Sequence, residues 1–78
     1  MLIVTQRGEL VNLGSVERVF LNPEAFECDG CRVIASGASG SMMTLGWYES
    51  TARADDVLTE ILEEYASGEK RKYEMPRV

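Results

Sequence analysis

The chain has 78 residues, a formal charge of −5 and a sequence pI near 4.6. That length holds one small domain with a modest core, and that charge argues against a nucleic-acid surface, which is usually basic. At 45% hydrophobic and 27% charged residues the make-up is that of a folded globular domain.

In chain order, Leu2-Ile3-Val4 opens a strand that runs to about Gln6. Arg7-Gly8-Glu9 reads as a turn, and Leu10 to Leu13 resumes as a strand, so residues 1–13 are expected to form a hairpin. Val16 to Leu21 is the next β-rich run, ended by Asn22-Pro23. Val16 and Val19 are three apart, which predicts either a bulge or a strand half-buried on both faces. Asp29-Gly30, between Phe26-Glu27-Cys28 and Cys31 to Ala35, has the chemistry of a type I′ hairpin. Gly37 to Ser41 is a second, longer turn, and Met42 to Tyr48 the last strand before the helix. Gly46 inside that strand marks a candidate bulge that reassigns the faces of Trp47 and Tyr48.

Ser50 to Gly68 is the helix around which the chain is organised. Ala54, Val57, Leu58, Ile61, Leu62 and Tyr65 fall at the spacing of a single helical stripe, and Asp55, Asp56, Glu60, Glu63 and Glu64 take the opposite side. Ser50 or Thr51 caps the start, and Gly68 can take the left-handed conformation that ends a helix. A charged run from Glu69 to Lys72 leads into Tyr73-Glu74-Met75-Pro76, read as a tail or short edge strand over residues 69–78. The expected fold is α+β: strands over about 1–48 in one curved antiparallel sheet of about five strands, packed on one C-terminal helix at about 51–67. Short turns dictate the antiparallel pairing, because parallel strands need long crossovers.

Leu45-Gly46-Trp47-Tyr48-Glu49-Ser50, the helix VLTEILEEY and the closing Tyr73-Glu74-Met75-Pro76 together resemble a group of small uncharacterised proteins of bacterial genomes, phages and prophages. The likeness extends to Leu10-Val11-Asn12-Leu13 and Val16 to Leu21. It implies a compact sheet-plus-helix domain similar to a small pleckstrin-homology-like half barrel, and a phage or mobile-element origin. It brings no catalytic residues. The position of Trp47 looks polar in such sequences, which implies an exposed tryptophan here.

Few residues carry chemistry. The chain has no histidine, so the usual general base and the commonest metal ligand are missing. Cys28-Asp29-Gly30-Cys31 has the spacing of a zinc knuckle, but zinc wants four ligands. Three readings stand: ordinary residues flanking a turn, a reversible disulfide, or a metal site shared between two chains. The helical carboxylates read as a solvated face. Gly37 to Ser41 lacks the ending of a phosphate-binding loop. Lys70-Arg71-Lys72 complements the negative end of the helix before it.

One helix covers one sheet face, and Met42, Met43, Trp47 and Tyr48 exceed what it can cover. Aromatic and methionine side chains are enriched at protein interfaces, so Met42, Trp47 and Tyr48 are the interface candidates. The expected function is a non-catalytic interaction module, self-associating or binding another protein, with no cofactor, metal or small-molecule substrate. The alternative is a metal-dependent assembly or redox sensor built on Cys28 and Cys31. No apolar run reaches the ~20 residues of a membrane span, and the N-terminus lacks the features of an export signal. Both point to the cytoplasm.

Overall fold

The structure is a computed structural model and describes residues 1–23, 30–69 and 71–78. Leu2–Val4 (β1) and Leu10–Asn12 (β2) pair antiparallel, with Ile3 opposite Val11. Thr5 builds the turn between them: its carbonyl accepts from Gly8 N at 2.9 Å, and its hydroxyl accepts from Glu9 N at 3.0 Å. The Asn12 side chain then accepts from Gly14 N at 3.0 Å and caps a 3₁₀ turn at Leu13–Ser15. That turn delivers the chain to Val16–Pro23 (β3), which pairs antiparallel with Cys31–Gly37 (β4). β4 pairs in turn with Met42–Tyr48 (β5) across the glycine-rich segment, a tight hairpin closed by Gly37 N on Ser41 O at 3.1 Å.

The helix, Thr51–Ser67 (α1), starts where expected. Ser50 accepts from Arg53 N through its hydroxyl at 3.1 Å, and Gly68 ends the helix at φ +68°. Lys72–Glu74 (β6) closes the chain.

Strand pairing departs from one curved antiparallel sheet. The six strands form two three-stranded sheets, β2-β1-β6 and β3-β4-β5. β6 runs parallel to β1, with Tyr73 opposite Ile3. The long return that parallel pairing demands is supplied by everything between the two strands, α1 included. The sheets meet where Gln6 N donates to Leu45 O at 3.0 Å, so the strand begun at β1 continues onto the edge of β5.

Both anticipated irregularities are present. Register slips between Val16 and Arg18 in β3, leaving Glu17 as the extra residue. It slips again in β5, where Val33 faces Gly46 and Ile34 faces Thr44, so Leu45 is the extra residue. This second bulge lets Leu45 and Tyr48, three apart, both enter the core. β3 also runs on through Asn22-Pro23, and Pro23 faces Cys31. Since Tyr48 faces Cys31 from the other side, both edges of β4 are taken from its first residue. The Asp29-Gly30 hairpin falls, apart from Gly30, on residues outside those described.

The core joins Ile3, Val11, Tyr73 and Met75 of the first sheet to Cys31, Val33, Ala35, Leu45 and Tyr48 of the second. Ala54, Val57 and Ile61 close it from the helix. Fully burying such a side chain stabilises by roughly 1.5–3 kcal/mol each. Among the described residues no helix is long and apolar enough to cross a membrane.

Candidate interaction surfaces

The helix stripe is only half used. Ile61 is 4% exposed, but the next residues along the same stripe, Leu62 and Tyr65, are 65% and 54% exposed. Three strands at ~4.8 Å spacing put the outer backbones of a sheet about 10 Å apart. A 17-residue helix is about 25 Å long, so it outruns the β3-β4-β5 sheet that it contacts. What remains is an open groove of about 470 Å³ between the C-terminal half of α1 and the start of β3. Leu58, Ile61, Leu62 and Tyr65 form one wall; Leu13, Val16 and Val19 form the other, with Glu17 and Arg18 at the rim. β3 is the outer strand of its sheet, so one of its edges lies unpaired along this groove among the described residues.

A second surface lies on the side of the sheet that faces away from the helix. Val19 and Leu21 pack toward the core, which turns Arg18 and Phe20 outward. The Arg18 guanidinium sits 4.9 Å from the Phe20 ring centroid, and its Nε donates to Ser36 Oγ at 3.3 Å. Cross-strand rows continue from Phe20 to Ile34 and Thr44, and from Arg18 to Ser36 and Met42. Met42 is exposed here, and Trp47, opposite Arg32, is 38% exposed. The Trp47 indole occupies the space that a side chain at Gly30 would need, which accounts for glycine at that position.

Of the three interface candidates, Met42 and Trp47 are therefore on the surface, and Tyr48 is not. At 1% exposure Tyr48 is core, because the bulge at Leu45 turns it inward. Its hydroxyl donates to Pro76 O at 2.7 Å, and burial pushes its phenol up to about 12 against the opposing pull of Arg53. The Tyr73 phenol is also raised, by burial first and then by the Glu60 carboxylate. Among the described residues its hydroxyl is buried with no partner at hydrogen-bond distance.

Sequence reasoning missed Gln6. Its side-chain amide behaves as an extra peptide unit on the edge of β5: Oε1 accepts from Trp47 N at 2.7 Å and Nε2 donates to Trp47 O at 3.1 Å. The same Nε2 donates to Pro76 O at 2.8 Å, so one residue ties the first strand, the β5 bulge and the C-terminal segment together. Arg53 holds that segment from the helix, with Nε and Nη2 donating to Val78 O at 3.1 and 3.0 Å. A lone glutamine after a strand carries no signal of this role, because its partners lie 41 and 70 residues away.

The other sequence candidates are scattered. Cys31 is fully buried at the start of β4, and Cys28 lies outside the described residues. Asp55, Asp56 and Glu63 are exposed on the far side of α1, Glu60 is exposed on the flank that faces Tyr73, and Glu64 is half-buried. Among the described residues no three such side chains gather as metal ligands. Lys72 sits in β6, with Nζ 3.3 Å from the Glu74 carboxylate, and Lys70 lies outside the described residues. None of the family models, curated proteins or solved structures compared with this chain matches it.

Proposed function

We propose that this chain is a non-catalytic protein-interaction module that associates with itself. The observation that carries the reading is the uncovered half of the helix stripe: Leu62 and Tyr65 lie exposed over an apolar groove beside an unpaired strand edge. Apolar side chains in such a groove gain free energy only when something covers them. The sheet-and-helix frame resembles the half barrel of pleckstrin-homology-like domains on this same reading. The competing metal or redox function gains nothing from Cys31, whose sulfur is enclosed by the core.

The test is native mass by light scattering over a range of concentration, for the wild type and for Leu62→Glu. Self-association in the wild type, lost in Leu62→Glu with unchanged far-UV circular dichroism, supports the module. A wild type that keeps the mass of one chain at every concentration removes self-association. An unchanged dimer in Leu62→Glu removes the groove from the interface.

A further inference from the structure

We propose that two copies of this chain join β3 to β3 antiparallel across a two-fold axis at Phe20. The result is one six-stranded sheet with both helices on the same face. The proposal rests on the self-association put forward above and names its geometry.

β3 is the longest strand, eight residues, and one of its edges is unpaired among the described residues. Natural edges are blunted by bulges, prolines and charges. Here the bulge lies between Val16 and Arg18 and the proline at Pro23, so both devices sit at the ends. Between them, Arg18 to Asn22 keeps an unbroken register with β4 and offers five residues of regular edge. Phe20 is the middle residue of that window.

The face pattern selects the register. Residues directly opposed in an antiparallel pair point the same way, so the joined sheet stays continuous only if inward residues oppose inward ones. An axis at Arg18 sets two guanidinium groups against each other and brings Val16, which packs on the core, against the outward Phe20. An axis at Val19 brings Glu17, the extra residue of the bulge, against Leu21. An axis at Phe20 opposes Phe20 with Phe20, Val19 with Leu21 and Arg18 with Asn22, with no like-charge pair. It also brings the two grooves, with their exposed Leu62 and Tyr65, to the seam between the copies.

The surface area fits a second copy. The chain exposes 5351 Å². A self-contained monomer of 8.7 kDa exposes ~4,700 Å² by the usual scaling, so the surplus is roughly 600 Å². A standard interface takes about 800 Å² from each partner.

Opposed Cα atoms in such a pair lie about 4.5–5.5 Å apart, within the range a disulfide spans. The experiment is therefore Phe20→Cys in a Cys28→Ser background, mildly oxidised and run on a non-reducing gel, with Thr44→Cys as the control and native mass measured in parallel. The expected result is a wild type of twice the chain mass, with most of the Phe20→Cys chains cross-linked as dimers and Thr44→Cys left single. If Phe20→Cys folds poorly, an equimolar mix of Arg18→Cys and Asn22→Cys is used, where only mixed pairs are expected to cross-link. A doubled wild-type mass with no cross-link at either site overturns the β3 register and leaves self-association standing. A wild type that stays at one chain mass overturns both, and gives the groove to a different protein.

Discussion

Gln6→Ala tests the joint that holds the two sheets together. The substitution removes the acceptor for Trp47 N at 2.7 Å and the donor to Pro76 O at 2.8 Å. It leaves the Gln6 backbone bond to Leu45 in place. A net hydrogen bond contributes about 0.5–1.5 kcal/mol, so losing these two, together with the longer Nε2 donation to Trp47 O at 3.1 Å, costs at least about 1–3 kcal/mol. Domains are stable by roughly 0.05–0.15 kcal/mol per residue, which makes that a large part of the total for this chain. The assay is urea unfolding followed by the fluorescence of Trp47, the single tryptophan, whose backbone is the partner being lost. With a slope near ~1 kcal/mol per molar urea, the midpoint falls by about 1–3 M. Gln6→Glu keeps an acceptor for Trp47 N but aims a carboxylate at Pro76 O, so it should be as damaging at neutral pH and milder once protonated in acid. A change in Gln6→Ala within the ~0.5 kcal/mol typical of surface substitutions would refute the role of Gln6 as the joint.

Tyr48 gives the fold an alkaline limit. Its folded pKa of about 12 lies above its ordinary value of 10.0. The associated stability is therefore complete below pH 10 and is lost as pH rises toward 12. Two units correspond to roughly 2–3 kcal/mol, visible as unfolding that tracks tyrosinate absorbance and is absent below pH 9. The neighbouring pair Ile61 and Leu62 separates core from surface: Ile61→Ala should cost ~2–5 kcal/mol in unfolding experiments on the monomer, and Leu62→Ala under ~0.5 kcal/mol. At Gly46 an added Cβ would stand 3.0 Å from Gln6 Cδ and 3.1 Å from Tyr48 Oη. Gly46→Ala should then destabilise by about 1–3 kcal/mol and perturb Trp47 emission, whereas unchanged stability would mean that the Gln6 side chain moves aside at no cost.

The helix was legible to the residue, because its stripe, its serine cap and its glycine stop are all local signals. The turns at Gly8 and Gly37–Ser41 and the two bulges were legible for the same reason: each shows as a break in the two-residue alternation. The partners of the strands were not. Nothing near Lys72–Glu74 says that it lies parallel to β1, and the tempting Asp-Gly motif concealed that Pro23 is the residue facing Cys31. The surface pattern was legible in part. Surplus apolar residues pointed to Met42, Trp47 and Tyr48; Met42 and Trp47 are exposed, whereas the bulge takes Tyr48 into the core, and the helical stripe alone did not show that Leu62 and Tyr65 stay uncovered. Alternation and helical period report which side of an element is apolar; they do not report where the opposing element stops.

Charge bears on how copies of such a chain can meet. Each carries −5, and the exposed carboxylates Asp55, Asp56 and Glu63 lie on the far side of α1. Contact through those faces would stack like charge, whereas the β3 edge presents Arg18 and an apolar strand. Even there, two chains measuring 37 × 26 × 21 Å bring their centres within about 25 Å, and their net charges repel. At that separation the unscreened repulsion is about 4 kcal/mol in water. Screening leaves about 2 kcal/mol of it at 0.01 M salt and a few tenths at 0.15 M. Association through β3 should therefore tighten on adding salt over that range, by about tenfold in Kd, as read from the concentration dependence of native mass. Weakening with salt would mean that ion pairs hold the copies together, which places the contact between the acidic helix and a basic patch and away from the β3 edge.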